Sequence, residues 1–238
     1  MKIKLIFWGN QTVNLNEAGL IYDLKLARYY RRVSTSLYEY AHIKQEDIKG
    51  LYDEMNRKVD VIVLLTMEAL NEERIEIIKD LSTKYLNKLY ILMKEKGEEA
   101  LLEAYGLKDV YNYVPDVGIK ELLHIFPVVI EQFIKNRERL SYKLKGSTLI
   151  MGYEQTSRGM GELVKEIFKN WRHVYTFPCV TLNLYSKDEG DLVKITQLED
   201  VFCDYVGEET KFILNWHKHA KVGEEIYFLA EGRIKEES

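Results

Sequence analysis

The chain is 238 residues long, 46% hydrophobic and 30% charged, with a formal net charge of -4 at pH 7. That balance suits a chain that buries one large core or two small ones, and it excludes a fibrous or disordered class. No apolar run reaches the roughly 18 residues needed to cross a bilayer, no leader pattern precedes the first strand-like segment, and no general basic excess would hold nucleic acid, so the expectation is a cytoplasmic protein.

Lys2 to Trp8 alternates as a strand does, Gly9-Asn10-Gln11 reads as a turn, and Ala18 to Arg32 reads as a helix. Within that helix, Lys25, Arg28, Arg31 and Arg32 lie beside Tyr22, Tyr29 and Tyr30, a basic and aromatic stretch read as a solvated face rather than a nucleic-acid site. Residues 33 to 57 are mixed, with a helix expected over Gln45 to Met55. Val59 to Thr66 is a buried strand, Asn71 to Tyr85 an amphipathic helix, Leu89 to Met93 a strand, Glu98 to Tyr105 a helix and Val110 to Val114 a short strand. Strands alternating with helices predict a doubly wound, mostly parallel sheet, whose carboxyl-end loops after Trp8, Thr66, Met93 and Val114 would carry any ligand.

Ile119 to Leu140 predicts a long helix apolar around most of its circumference, buried between layers and kinked or restarted at Pro127. Beyond it the pattern changes. Ser147 to Tyr153, Cys179 to Tyr185, Lys211 to Trp216 and Glu225 to Ala230 read as strands, and Gly161 to Trp171 and Lys194 to Val206 as helices. That order predicts a smaller α+β domain with a mixed sheet. The expected division is 1–118, a nucleotide-binding-type α/β domain; 119–146, the central helix and connector; and 147–238, the C-terminal domain.

The most informative segment follows Thr66. A phosphate cradle needs small residues there, so that backbone N–H groups can close on the ligand. The chain instead places Met67-Glu-Ala-Leu-Asn-Glu-Glu73. Glu68, Glu72 and Glu73 are read as carboxylates that complement the positive end of the following helix and would repel a second anion.

The order of elements resembles the tubulin and FtsZ superfamily. Leu149-Ile-Met-Gly-Tyr-Glu-Gln-Thr-Ser-Arg-Gly is similar to the family's strand and turn before an Ala-rich helix, and Gly161-Glu-Leu-Val-Lys-Glu-Ile-Phe168 takes that helix's place. Val180-Thr-Leu-Asn-Leu-Tyr-Ser resembles the "GVLVNITG" strand, and Gly190-Asp-Leu-Val with Leu198-Glu-Asp-Val resembles the "DLTLxE" helix. Lys211-Phe-Ile-Leu-Asn resembles "NIIFG", and Glu224-Glu-Ile-Tyr-Phe-Leu-Ala-Glu-Gly232 resembles "EIRVTVIATG". Upstream, Asp60-Val-Ile-Val-Leu-Leu-Thr resembles the strand before the family's glycine signature, Leu89-Tyr-Ile-Leu-Met-Lys the "TVAVVTKP" strand, and Val110-Tyr-Asn-Tyr-Val-Pro-Asp116 the "TLIVIPND" segment. The resemblance implies an FtsZ-like fold whose core helix is Ile119 to Leu140.

Two departures qualify what it implies about function. Met67 to Glu73 stands where the family has "GGGTGTG", and Ser141-Tyr-Lys-Leu-Lys-Gly146 stands where an acidic loop would attack a neighbour's nucleotide. The expected function is therefore that of a non-catalytic tubulin/FtsZ-like protein acting through protein contacts, as a structural or regulatory component related to a filament system. Its partner would be a related filament protein or a second copy, and no cofactor is assigned. One alternative is a divergent GTP-binding, polymerising GTPase, and another is a small-molecule sensor at the carboxyl edge of the first sheet. The residues that would meet a ligand at that edge are Gly9, Asn10, Gln11, Thr66 and Asp116. No catalytic residue and no metal site are assigned. His217 and His219 share a strand face without a third ligand at metal spacing, and Asp188, Glu189, Asp191, Glu199 and Asp200 read as helix-start charges. Cys179 and Cys203 are expected to be buried thiols.

Overall fold

The computed structural model describes residues 2–11, 21–23, 28–33, 36–85, 88–93, 104–106, 111–113, 125, 128–129, 148–155, 159–169, 179–188, 190–204, 210–219, 222 and 224–233. It divides into two compact units, 1–113 and 114–238.

In the first unit the strands are β1 (Lys2–Trp8), β2 (Ile21–Asp23), β3 (Arg28–Val33), β4 (Ser36–Ile43), β5 (Val61–Thr66), β6 (Leu89–Met93) and β7 (Tyr111–Tyr113). Helix α1 (Ile48–Met55) lies between β4 and β5, and α2 (Glu72–Lys84) between β5 and β6. The strand order is β7-β6-β5-β1-β4-β3-β2. The pairings from β4 through β1, β5 and β6 to β7 are all parallel, and β3 and β2 add an antiparallel edge. This is the mostly parallel sheet that the alternation predicts.

The span Ala18 to Arg32 is a correction. Its described residues are not helical: β2 and β3 pair antiparallel, Tyr22 opposite Tyr29, and β3 pairs with β4, Tyr29 opposite Tyr40. Ala, Leu, Lys and Arg raise helix propensity there, but the tyrosines and the edge of a parallel sheet beside them favour extended backbone. The basic residues Arg28, Arg31 and Arg32 are thus strand positions, not a helix face. β4, in the stretch read as mixed, is the strand that β1 pairs with.

Both helices are started by side-chain caps. Asp47 accepts the Gly50 N–H at the start of α1, and Asn71 accepts the Arg74 N–H at the start of α2. One face of the sheet, through Ile6, Trp8, Ile62, Leu64, Ile91 and Met93, buries Leu51 and Met55 of α1 and Ile75, Ile78 and Leu81 of α2. Ile3, Leu5, Phe7, Val63 and Leu65, which point the other way along the same strands, are equally buried. With both faces covered, the strands read as continuous apolar runs rather than as alternation.

In the second unit the strands are β8 (Thr148–Gln155), β9 (Cys179–Ser186), β10 (Lys211–Lys218) and β11 (Glu225–Arg233), with α3 (Gly159–Lys169) and α4 (Leu192–Cys203). The order is β10-β9-β11-β8. β10 and β9 are parallel while β11 runs antiparallel to both of its neighbours, so the sheet is mixed. Leu163, Val164 and Ile167 of α3 and Leu198 and Phe202 of α4 bury against Leu182, Leu184, Ile226 and Phe228. Asp191 caps α4 by accepting the Lys194 N–H at 2.8 Å, the helix-start role expected of it, whereas Glu199 and Asp200 lie toward the other end of α4 and are not helix-start charges. Cys179, at the start of β9, is a half-buried free thiol rather than a fully buried one. The expected helices over Glu98 to Tyr105 and Ile119 to Leu140 and the loop Ser141 to Gly146 lie largely outside the described residues; Ile125, Val128 and Val129, which are described, are buried.

Candidate functional site

Strand order alone marks one place in the first unit. From β1 the chain moves to β4 on one side, and after α1 it returns to β5 on the other, so the loops leaving β1 and β5 diverge. In an open parallel sheet such a switch point leaves a crevice at the carboxyl ends of the strands, the usual seat of a ligand.

Here hydrogen bonds lace the loops around the crevice together. The Gly9 N–H donates to the Ile43 carbonyl at 3.0 Å, and the Met67 N–H to the Trp8 carbonyl at 3.1 Å. Asn10 pairs with Gln45 twice, its Nδ2 donating to Oε1 at 3.2 Å and its Oδ1 accepting the Gln45 N–H at 3.3 Å. The His42 Nε2 is 3.0 Å from the Gly9 carbonyl. The three loops leaving β1, β4 and β5 therefore form one hydrogen-bonded rim. Gly9 has φ +156°, a conformation that favours glycine, and a Cβ there would lie 3.0 Å from the Met67 Cβ.

Glu68 fills the middle of this rim. Its Oε1 accepts the Asn10 backbone N–H at 2.7 Å, and its Oε2 accepts from Arg74 Nη2 at 2.8 Å. Arg74 is 93% buried by its 7% exposure, donates from Nη1 to the Ala69 carbonyl at 2.6 Å, and stands 5.9 Å from the Trp8 ring centroid. Partial burial works against the Glu68 charge, but the Asn10 N–H and the Arg74 guanidinium outweigh it and hold the carboxyl below its ordinary range. Glu68 is thus an anion bound by the rim, not a helix-end carboxylate: α2 begins at Glu72, its cap is Asn71, and only Glu72 and Glu73 lie in its first turn.

Of the residues expected at this edge, the structure brings Gly9, Asn10 and Gln11 to Glu68, the backbone N–H groups of Asn10 and Gln11 both favouring its charge. Thr66 ends β5 beside Trp8, buried, its Oγ1 without a hydrogen-bond partner. Asp116 lies outside the described residues. Arg74 was not anticipated. Its signal is its place with Ile78 and Leu81 at i, i+4 and i+7, on the apolar stripe of α2, where a guanidinium must find a counter-charge.

His217 of β10 and His219, just past the end of that strand, serve packing. His217 stacks on Tyr185 at 5.3 Å and His219 meets the same ring edge-on at 6.3 Å. Among the described residues no group of three His, Cys, Asp or Glu side chains stands at metal-binding distance, and no helix is long and apolar enough to cross a membrane.

No protein-family model matches the sequence, and no curated protein matches it. Among solved structures the chain is similar to a mutant FtsZ of M. jannaschii, with a TM-score of 0.49, 8% identity, and 97% of this chain and 90% of that chain covered. It is similar to CetZ from Methanosaeta thermophila, with a TM-score of 0.49, 11% identity, and 79% and 66% covered. A GDP-bound CetZ1 monomer from Haloferax volcanii gives 0.45, 12%, and 78% and 68%. These are likenesses of fold; the fold class itself, α/β with a mostly parallel first sheet and a mixed second one, is read from the strand order and registers.

Proposed function

We propose that this chain is a non-catalytic tubulin/FtsZ-like protein that acts through protein contacts, as a structural or regulatory component related to a filament system. The observation that carries the reading is the Glu68 carboxylate, which accepts the Asn10 N–H and the Arg74 guanidinium at the crevice where a phosphate would need those donors. A phosphate arriving there meets a fixed negative charge, with Glu72 and Glu73 close behind in sequence. Hydrolysis in turn needs a bound nucleotide, and the Asn10 N–H and Arg74 Nη2 are already taken by Glu68.

The contact half of the reading is supported by the second unit. Leu192 and Val193, in the first turn of α4, are 81% and 66% exposed, and with Thr196 and Gln197 they line a shallow apolar depression. Adjacent large apolar side chains left in water are a common mark of a contact surface. The partner in this reading is a related filament protein or a second copy of the chain.

Sedimentation velocity with and without GTP and magnesium tests it. The expected profile is the same in both conditions, with any self-association independent of nucleotide. A GTP-dependent shift to large species would instead support the divergent polymerising GTPase.

A further inference from the structure

We propose that Glu68 is the built-in occupant of an oxyanion site, and that the site takes a small free oxyanion such as inorganic phosphate once that carboxylate is removed. The inference rests on the reading above that the strand-end loops hold no nucleotide.

A buried guanidinium needs a counter-charge, so Glu68 could serve Arg74 alone. Two observations go beyond that. Glu68 uses one oxygen for Arg74 and the other for the Asn10 N–H, which lies across the switch point on the loop after β1. A carboxylate spanning a guanidinium and a backbone N–H on a separate loop is bound as a ligand anion is bound. The donors are also held in place without Glu68. Asn10 is fixed by its two bonds to Gln45, Gly9 by the Ile43 carbonyl, and the Arg74 guanidinium by the Ala69 carbonyl, while its buried Nε has no partner. Removing the carboxylate therefore leaves preorganised donors without their anion, the exposed Asn10 N–H and the buried Arg74 guanidinium, and the buried cation favours a replacement anion. In the native protein the tether gives the carboxylate a high effective concentration that a diffusing anion cannot match, so the site stays self-liganded.

The test is Glu68→Ala, titrated with inorganic phosphate by calorimetry at ionic strength matched with chloride. The variant is expected to bind one phosphate at least about tenfold more tightly than the native chain, the factor of one released charge-assisted hydrogen bond. Phosphate should also raise its melting temperature more than it raises the native protein's, which removes the general salting effect. GDP, run as a second arm, should bind no more tightly than phosphate, because the donors grip a single oxyanion. A folded Glu68→Ala with native-like indifference to phosphate, or one that takes GDP but not phosphate, overturns the proposal. If the variant fails to fold in chloride, refolding in phosphate decides: recovery supports the proposal and failure in both salts overturns it. Bound nucleotide in the native protein would defeat the proposed function, whereas a phosphate-blind variant of a nucleotide-free protein defeats only this inference.

Discussion

Lys4→Ala is expected to destabilise the first unit by about 3–5 kcal/mol, the cost of removing one partner from a buried ion pair. Lys4 is fully buried on β1, on the face that meets the helices. Its Nζ pairs with the Glu54 carboxylate of α1, donates to the Glu54 carbonyl at 3.3 Å, and stands 3.9 Å from Oε2 of Glu39 on β4. Burial pulls the Lys4 ammonium below its ordinary value, and the two carboxylates oppose that pull. With the ammonium gone, Glu54 keeps Arg57 at 3.4 Å and Glu39 keeps Lys2, both partners nearer the surface, and the centre holds two carboxylates with no charge between them. Urea unfolding measures the loss. Lys4→Met, which restores volume but not charge, should remain close to Lys4→Ala, while the double change Lys4→Met with Glu54→Leu should regain part of the loss. A Lys4→Met protein as stable as the native one would show that the ion pair contributes nothing.

Phe228→Ala should cost a similar 3–5 kcal/mol in the second unit, read from the same kind of urea or thermal curve, because it leaves a cavity that its neighbours cannot fill. Phe228 is fully buried on β11 among Leu163, Val164 and Ile167 of α3 and Leu182 and Leu184 of β9. Across the strand pair it faces Gly152, where an added Cβ would lie 2.6 Å from the ring. The ring thus occupies the space that a side chain at 152 would need, and Gly152 has nothing to offer in return. Phe228→Leu, which keeps most of the volume, should lose well under half as much; an equal loss from both variants would argue against the cavity account.

The strands and helices that were legible in the sequence are those whose patterns come from burial. The run ending at Thr66 is apolar on consecutive residues because both sheet faces are covered, and Asn71 before Glu72-Glu73 is a helix start that local chemistry writes out plainly. β2 and β3 were not legible. Between Ala18 and Arg32 the sequence offers Leu, Ala, Lys and Arg at helical spacing, and what makes Arg28 to Val33 extended is the pairing of β3 with β4, a contact no window of that size contains.

The same limit applies at the site. The absence of glycines after Thr66 pointed to the loss of a phosphate cradle, and the negative charge of Glu68 pointed the same way. The sequence could not show that Glu68 reaches Asn10, 58 residues away, because that contact depends on β1 and β5 being neighbours. Lys4 and Arg74 share a readable signal: each is a cation on an otherwise apolar face, Lys4 beside Ile6 and Trp8, Arg74 beside Ile78 and Leu81. A buried cation requires a carboxylate, and Glu54 and Glu68 are the ones that answer.

At the ends of β1 and β5 the chain supplies its own anion, Glu68, to the donors of Asn10 and Arg74. The most direct measurement is the nucleotide content of the purified protein, released by acid and quantified by chromatography. The account predicts guanine nucleotide far below one equivalent, unchanged after incubation with GTP and removal of the excess; one equivalent of bound GTP or GDP would contradict it.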